Sequence, residues 1–176
     1  RGAAAGVGVG VMEGGGVGDG DVLGSSQGGA VARQIVCGDA ARVRRLVLAA
    51  TSGGVGATPG SVWAGLRGLS ALGDATSWPR ADAMGFLWHS LAFSNWSSIP
   101  FLGSIAAPTL VVCGTHDRVV APANSRVLAR RIPGASLVMV PAGHDLQRAD
   151  LAAEMAGVVE DFLTAEGSTE RVPASG

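Results

Sequence analysis

One segment, Asp21-Val22-Leu23-Gly24-Ser25-Ser26-Gln27-Gly28, constrains this chain more than any other. A short apolar stretch runs into G-x-S-x-G, and a helical pattern opens at once behind it. A strand that turns this sharply into a helix lifts the central serine hydroxyl above the end of a sheet. Glycines are needed on both flanks because the two arms of the turn pass close to each other. Ser26 is the candidate nucleophile, and its neighbour Ser25 is expected to point elsewhere. The backbone N–H of Gln27, at the start of the helix, is the candidate oxyanion donor.

In a chain with 28 glycines among 176 residues the pentapeptide alone is weak. Its context strengthens it. Pro108-Thr109-Leu110-Val111-Val112-Cys113-Gly114-Thr115-His116-Asp117 reads as a buried strand ending in a glycine and then an aspartate. Ser136-Leu137-Val138-Met139-Val140-Pro141-Ala142-Gly143-His144 reads as another strand, ending in a histidine. Serine, aspartate and histidine in that order, each just past a strand's carboxyl end, is the order of the α/β-hydrolase triad. A serine hydroxyl is a poor nucleophile near neutral pH and needs a base, and the base needs an orienting group. In this reading Ser26 attacks an acyl carbonyl, His144 takes its proton, and Asp117 holds the imidazole and stabilises the imidazolium.

Each role has a competitor. His116 precedes the acid on the same loop and is read as solvent-facing and structural. Asp145 adjoins His144 and is badly placed to reach the far ring nitrogen. His89 is read as a packed or substrate-facing residue. No spacing among His116, Asp117, His144 and Asp145 resembles a zinc or iron site. Asp19-Gly20-Asp21 is too short for a calcium loop and lacks its closing glutamate. No metal and no cofactor are expected.

The chain length fits one domain with a real core. A hydrophobic content of 47% with 15% charged residues is apolar, yet no run approaches the ~18 residues of a membrane-spanning helix. The net charge of -1 argues against a nucleic-acid partner. Two cysteines give no disulfide framework, and both Cys37 and Cys113 are read as small buried hydrophobes.

Gln27 to Gly38 reads as a helix, with Val31 and Ile35 inward, Arg33 and Gln34 facing away, and Gly38 as its cap. The apolar run Val43 to Ala50 reads as a strand covered on both faces. Pro122 opens a helix that runs to Ile132 and stops before Pro133-Gly134. Asp150 is read as the cap of a last helix, in which Leu151, Met155, Val158 and Phe162 form an apolar stripe facing the sheet. Strands alternating with helices imply βαβ units and a parallel sheet. The expected organisation is a flexible Gly-rich segment (1–20), a core (21–164) and a frayed tail (165–176).

Between two core strands lies an insertion, about 53–104. It holds all four tryptophans (Trp63, Trp78, Trp88, Trp96) and three of the four phenylalanines (Phe86, Phe93, Phe101). A helical cap above the active-site edge would use such rings either to line an apolar acyl site or as its own small core. Trp88, Trp96 and Phe86 are the candidate substrate-binding residues.

With these residues in hand, the chain resembles the α/β-hydrolase superfamily over residues 21 to about 164. Within it the likeness is to intracellular polyhydroxyalkanoate depolymerases and related esterases. Three stretches carry it: Val22–Ala30 with Arg45–Ser52; Gly85-Phe86 with Asn95–Leu102; and Pro108–Val120 with Arg131-Ile132-Pro133 and Gly143-His144. The resemblance implies a parallel-sheet α/β core with a helical cap, a cytoplasmic serine hydrolase, and an ester or polyester substrate with an apolar acyl part. Acyl transfer or thioester cleavage by the same triad is an alternative, as is a non-catalytic hydrolase-like chain. The family carries further strands and a Gly-rich oxyanion loop ahead of the elbow, and residues 1–20 match neither. A core truncated at its amino terminus is therefore expected, with an open edge beside the elbow strand that invites self-association.

Overall fold

The computed structural model describes residues 19–60 and 95–165. The expectations for the glycine tract 1–18, for the cap interior 61–94 and for the tail beyond 165 lie outside the described residues. So do Trp63, Trp78, Phe86, Trp88, His89 and Phe93.

Four strands, β1 (Gly20–Ser25), β2 (Val43–Ala49), β3 (Thr109–Gly114) and β4 (Ser136–Val140), form one sheet in the order β1-β2-β3-β4. All three pairings are parallel. Among the described residues, helices α1 (Gly28–Gly38), α2 (Pro122–Arg131) and α3 (Ala152–Thr164) accompany the sheet. The βαβ units and the parallel sheet read from the sequence are borne out. Among the described residues β1 has a strand on one side only.

The continuous apolar runs of β2 and β3 follow from burial on both faces. Successive side chains of a strand point to opposite sides. Leu46 and Leu48 of β2 and Val111 of β3 pack with Ala32 and Val36 of α1 and Leu128 of α2. Val47, Leu110, Val112 and Val140 face the other way. There they meet Leu151, Met155, Val158 and Phe162, the stripe expected on α3. The result is a sheet between two helical layers. Fully burying one such aliphatic side chain contributes about 1.5–3 kcal/mol, so the alternation along β2 alone fixes its register firmly.

Pro122 occupies the first turn of α2, where its missing N–H costs nothing. Arg130 and Arg131 lie in the last turn, favourably placed at the negative end of the helix dipole. Ile132 leaves the helix in an extended conformation, as expected of a residue before proline. At the end of α3 the Arg45 guanidinium donates to the carbonyls of Leu163 and Ala165 and closes the last turn.

Four local readings are corrected. Arg33 does not face away from the core: its residue exposure is 0%. Long-range partners bury it, and no local pattern reports those. Cys37 is exposed while Cys113 is buried, because Cys37 falls on the outer side of α1 and Cys113 inside β3. Asp39, not Gly38, caps the carboxyl end of α1, its N–H donating to the Ile35 carbonyl. Leu151, not Asp150, precedes α3; Asp150 is taken instead by a two-toothed pair with Arg148. That guanidinium holds the Asp150 carboxyl below its ordinary range.

Candidate active site

The elbow is built by close approach. A Cβ placed on Gly24 would lie 2.5 Å from the Gly28 carbonyl oxygen and 2.7 Å from the Gly29 Cα. A Cβ on Gly29 would lie 2.5–2.7 Å from three atoms of the Thr51 side chain. Real carbon contacts do not reach such distances, so both positions require glycine. Between them Ser26 adopts φ 50°, a left-handed conformation uncommon for a residue with a side chain. Its N–H donates to the Ala49 carbonyl at 2.9 Å, which fixes the strained turn to the end of β2.

The three side chains picked out by strand order converge above the carboxyl ends of β1, β3 and β4. Ser26 Oγ lies 3.1 Å from His144 Nε2, and His144 Nδ1 lies 2.8 Å from Asp117 Oδ2. Asp117 can only accept from Nδ1–H, which leaves Nε2 as the acceptor for the serine hydroxyl. Asp117 is 4% exposed. Its second oxygen accepts the N–H groups of Val119 (2.9 Å) and Val120 (2.8 Å), so the buried carboxylate is satisfied on both sides. The loops bearing acid and histidine are bound to each other. Thr115 N–H donates to the Val140 carbonyl and His116 N–H to that of Ala142.

The competing residues stand apart. His116 is exposed, with Nδ1 against Thr115 Oγ1. Asp145 is exposed and accepts the Gln147 N–H. The N–H of Gln27, first beyond the serine, makes no backbone hydrogen bond among the described residues. It lies at the same end of α1 as the serine, where the helix dipole favours negative charge.

Ser26 and Gln27 open into a cleft of about 340 Å³, walled also by Thr51, Ser52, Trp96 and Val120. Trp96 is thus the one candidate substrate-binding ring among the described residues, and it does line the cleft. Gly54 and Val55, also in the wall, pair with the far end of the insertion. Val55 N–H donates to the Trp96 carbonyl, and Ser98 N–H to that of Gly53. Thr51, Ser52 and Val120 were not picked out from the sequence. Their position could have revealed them, since open parallel sheets bind ligands just past the strands' carboxyl ends.

This sheet order and this elbow are those of the α/β-hydrolases. The chain has the α/β-hydrolase fold, and residues 75–148 match the family model described by that name. The enol-lactonase from Burkholderia xenovorans LB400 superposes with a TM-score of 0.69 at 26% identity, over 92% of this chain and 72% of that one. An N-acyl homoserine lactone degrading enzyme superposes with a TM-score of 0.74 at 25% identity, over 90% of this chain and 73% of that one.

Among curated proteins, the poly(3-hydroxyalkanoate) depolymerase of Ectopseudomonas oleovorans is similar, at 32% identity over 174 residues. The match covers 83% of this chain and 61% of the relative's length. The resemblance drawn from the elbow, cap-stem and histidine segments is borne out. Among the described residues no helix is long and apolar enough to cross a membrane.

Proposed function

We propose that this protein is a serine hydrolase that cleaves carboxylic esters with an apolar acyl part, polyhydroxyalkanoate among them. The observation that carries the reading is the continuous hydrogen-bond chain from Ser26 Oγ through His144 to the buried Asp117. In this reading Ser26 attacks the ester carbonyl and His144 Nε2 accepts the hydroxyl proton. The tetrahedral oxyanion forms next to the Gln27 N–H. As the C–O bond breaks, His144 returns the proton to the departing alcohol, leaving an acyl-serine. A water, deprotonated by the same ring, then releases the acid. Asp117 stays ionised and holds the ring in the tautomer that presents a bare Nε2 to the serine.

The substrate class rests on two things. One is the apolar side of the cleft, where Trp96, Val55 and Val120 give a surface for an acyl chain. The other is the similarity to a protein named as a poly(3-hydroxyalkanoate) depolymerase. No cofactor is called for by this chemistry. The cytoplasm is the proposed compartment, by likeness to intracellular depolymerases, and the edge of β1 that has no strand beside it among the described residues is the proposed route of any self-association. The test is release of 3-hydroxy acids from an emulsified medium-chain polyhydroxyalkanoate, alongside hydrolysis of acyl p-nitrophenyl esters. Both should proceed with the wild type and be abolished in Ser26→Ala. Equal hydrolysis by the variant would overturn the assignment.

A further inference from the structure

A fully buried arginine lies two turns along the helix that begins at the nucleophile. Arg33 donates from Nη2 to the Ser52 carbonyl at 2.5 Å, and its guanidinium carbon sits 5.4 Å from the centre of the Trp96 ring. Among the described residues its Nε and Nη1 have no hydrogen-bond partner. Burial of this kind is unfavourable: each unmatched donor has lost its water and gained nothing. Desolvation pushes the guanidinium pKa down to about 10. Methionine or leucine would fill the same space without that cost, and replacing buried ions by apolar residues is often neutral or stabilising. Stability therefore does not account for an arginine here.

Its surroundings do. Both groups that Arg33 holds, Ser52 and Trp96, are walls of the cleft at Ser26. The next residue, Gln34, accepts the Trp96 indole N–H through Oε1 at 3.2 Å. One face of the ring is thus met by a cation and its polar edge by an amide, both from adjacent positions of α1. A helix is stiff, and its first residues follow directly on Ser26. The distance from the reacting oxygen to the tryptophan wall is therefore set by a single rigid element.

We propose that Arg33, with Gln34, is a positioning residue that fixes the Trp96 wall relative to Ser26 and so sets which acyl lengths the cleft accepts. This rests on the ester-hydrolase reading for its substrate, but not for its geometry. Arg33 touches no reacting atom. It acts through Trp96 and Ser52, and the consequence is a loss of discrimination rather than of chemistry.

The experiment compares wild type, Arg33→Met, Arg33→Lys and Gln34→Leu in two measurements. The first is the Trp96 indole N–H resonance in a nitrogen-edited NMR spectrum, assigned with Trp96→Phe. It should shift or broaden in Arg33→Met and Gln34→Leu. Arg33→Lys, which keeps a cation but not the planar contact, should be intermediate. The second is kcat/KM on p-nitrophenyl esters from acetyl to octanoyl. In Arg33→Met the loss should grow with acyl length, to about tenfold at octanoyl, and lie mainly in KM. The melting temperature of Arg33→Met should be unchanged or raised. An unmoved indole resonance, or a loss equal at every acyl length, would overturn the proposal, as would a marked fall in melting temperature. If the wild type hydrolyses none of these esters, the ester-hydrolase reading and the acyl-length role both fall. The indole resonance still decides whether Arg33 and Gln34 hold the ring.

Discussion

Gly29→Ala should destabilise the protein, and Thr51→Gly should reverse the sign of that effect. A methyl group on Gly29 would meet Thr51 Oγ1 at 2.5 Å, Cβ at 2.6 Å and Cγ2 at 2.7 Å. Ordinary carbon contacts begin near ~3.5 Å, so about 1 Å of separation must be found. Thr51 is 2% exposed and has nowhere to retreat. Overpacking of this order costs about 1–3 kcal/mol. The displaced part is the first turn of α1, which follows directly on the serine, and misplacing a reacting group by about 1 Å can cost about 10²-fold in rate. With Thr51→Gly the three nearest opposing atoms are gone. The intrinsic preference of a helix for alanine over glycine, worth up to about 1 kcal/mol, then favours the substitution. The wild type, the two single variants and the double variant form a double-mutant cycle, read by urea unfolding and by ester hydrolysis. The expected coupling is about 2–3 kcal/mol, with Gly29→Ala destabilising when Thr51 is present and stabilising in the Thr51→Gly background. Additive effects within about 0.5 kcal/mol would refute the close-approach argument.

Three further outcomes follow from the same geometry. Asp117→Asn should lower kcat by up to about 10⁴-fold with the fold retained, since the amide favours the wrong imidazole tautomer; near-normal turnover would point to another acid. Asn124 is buried and exchanges two hydrogen bonds with the Thr58 backbone, both of 2.8 Å, so Asn124→Ala should cost about 1–3 kcal/mol in urea unfolding. A cost below about 0.5 kcal/mol, the scatter of surface substitutions, would show the pair to be idle. One thiol, Cys37, should react with a maleimide in the native protein and two after unfolding. Partial burial raises the Cys37 pKa, so its labelling rate should keep rising beyond the pH at which a free cysteine levels off. A plateau at or below that pH would contradict the shift.

Much of this was legible in the residues. Among the described residues, the four strands, the three helices and the meeting of Ser26, Asp117 and His144 follow from short-range patterns: apolar runs, glycine-flanked turns and strand ends in a given order. What was not legible depends on contacts between distant segments. Arg33 reads as a solvent-facing residue because arginine is almost never fully buried without a partner, and its neighbours Ser52 and Trp96 lie far along the chain. Cys37 reads as buried because free cysteine usually is, yet it falls on the outer side of its helix. Asp150 reads as a helix cap because aspartate favours that position, but Arg148 two residues earlier competes for the same carboxylate. Ala50 takes φ 47° at the end of β2 without any local sign of it. Its N–H donates to the Val112 carbonyl, and the neighbouring strand holds the chain there.

The central claim is that Ser26 is a nucleophile activated by His144. Covalent labelling tests it most directly. The protein is treated with a fluorophosphonate, digested, and the modified peptide sequenced by mass spectrometry. The account predicts a single adduct on Ser26, formed rapidly in the wild type, slowed by at least about 10³-fold in His144→Ala and absent in Ser26→Ala. An adduct on any other serine, or labelling of Ser26 at an undiminished rate without His144, would contradict it.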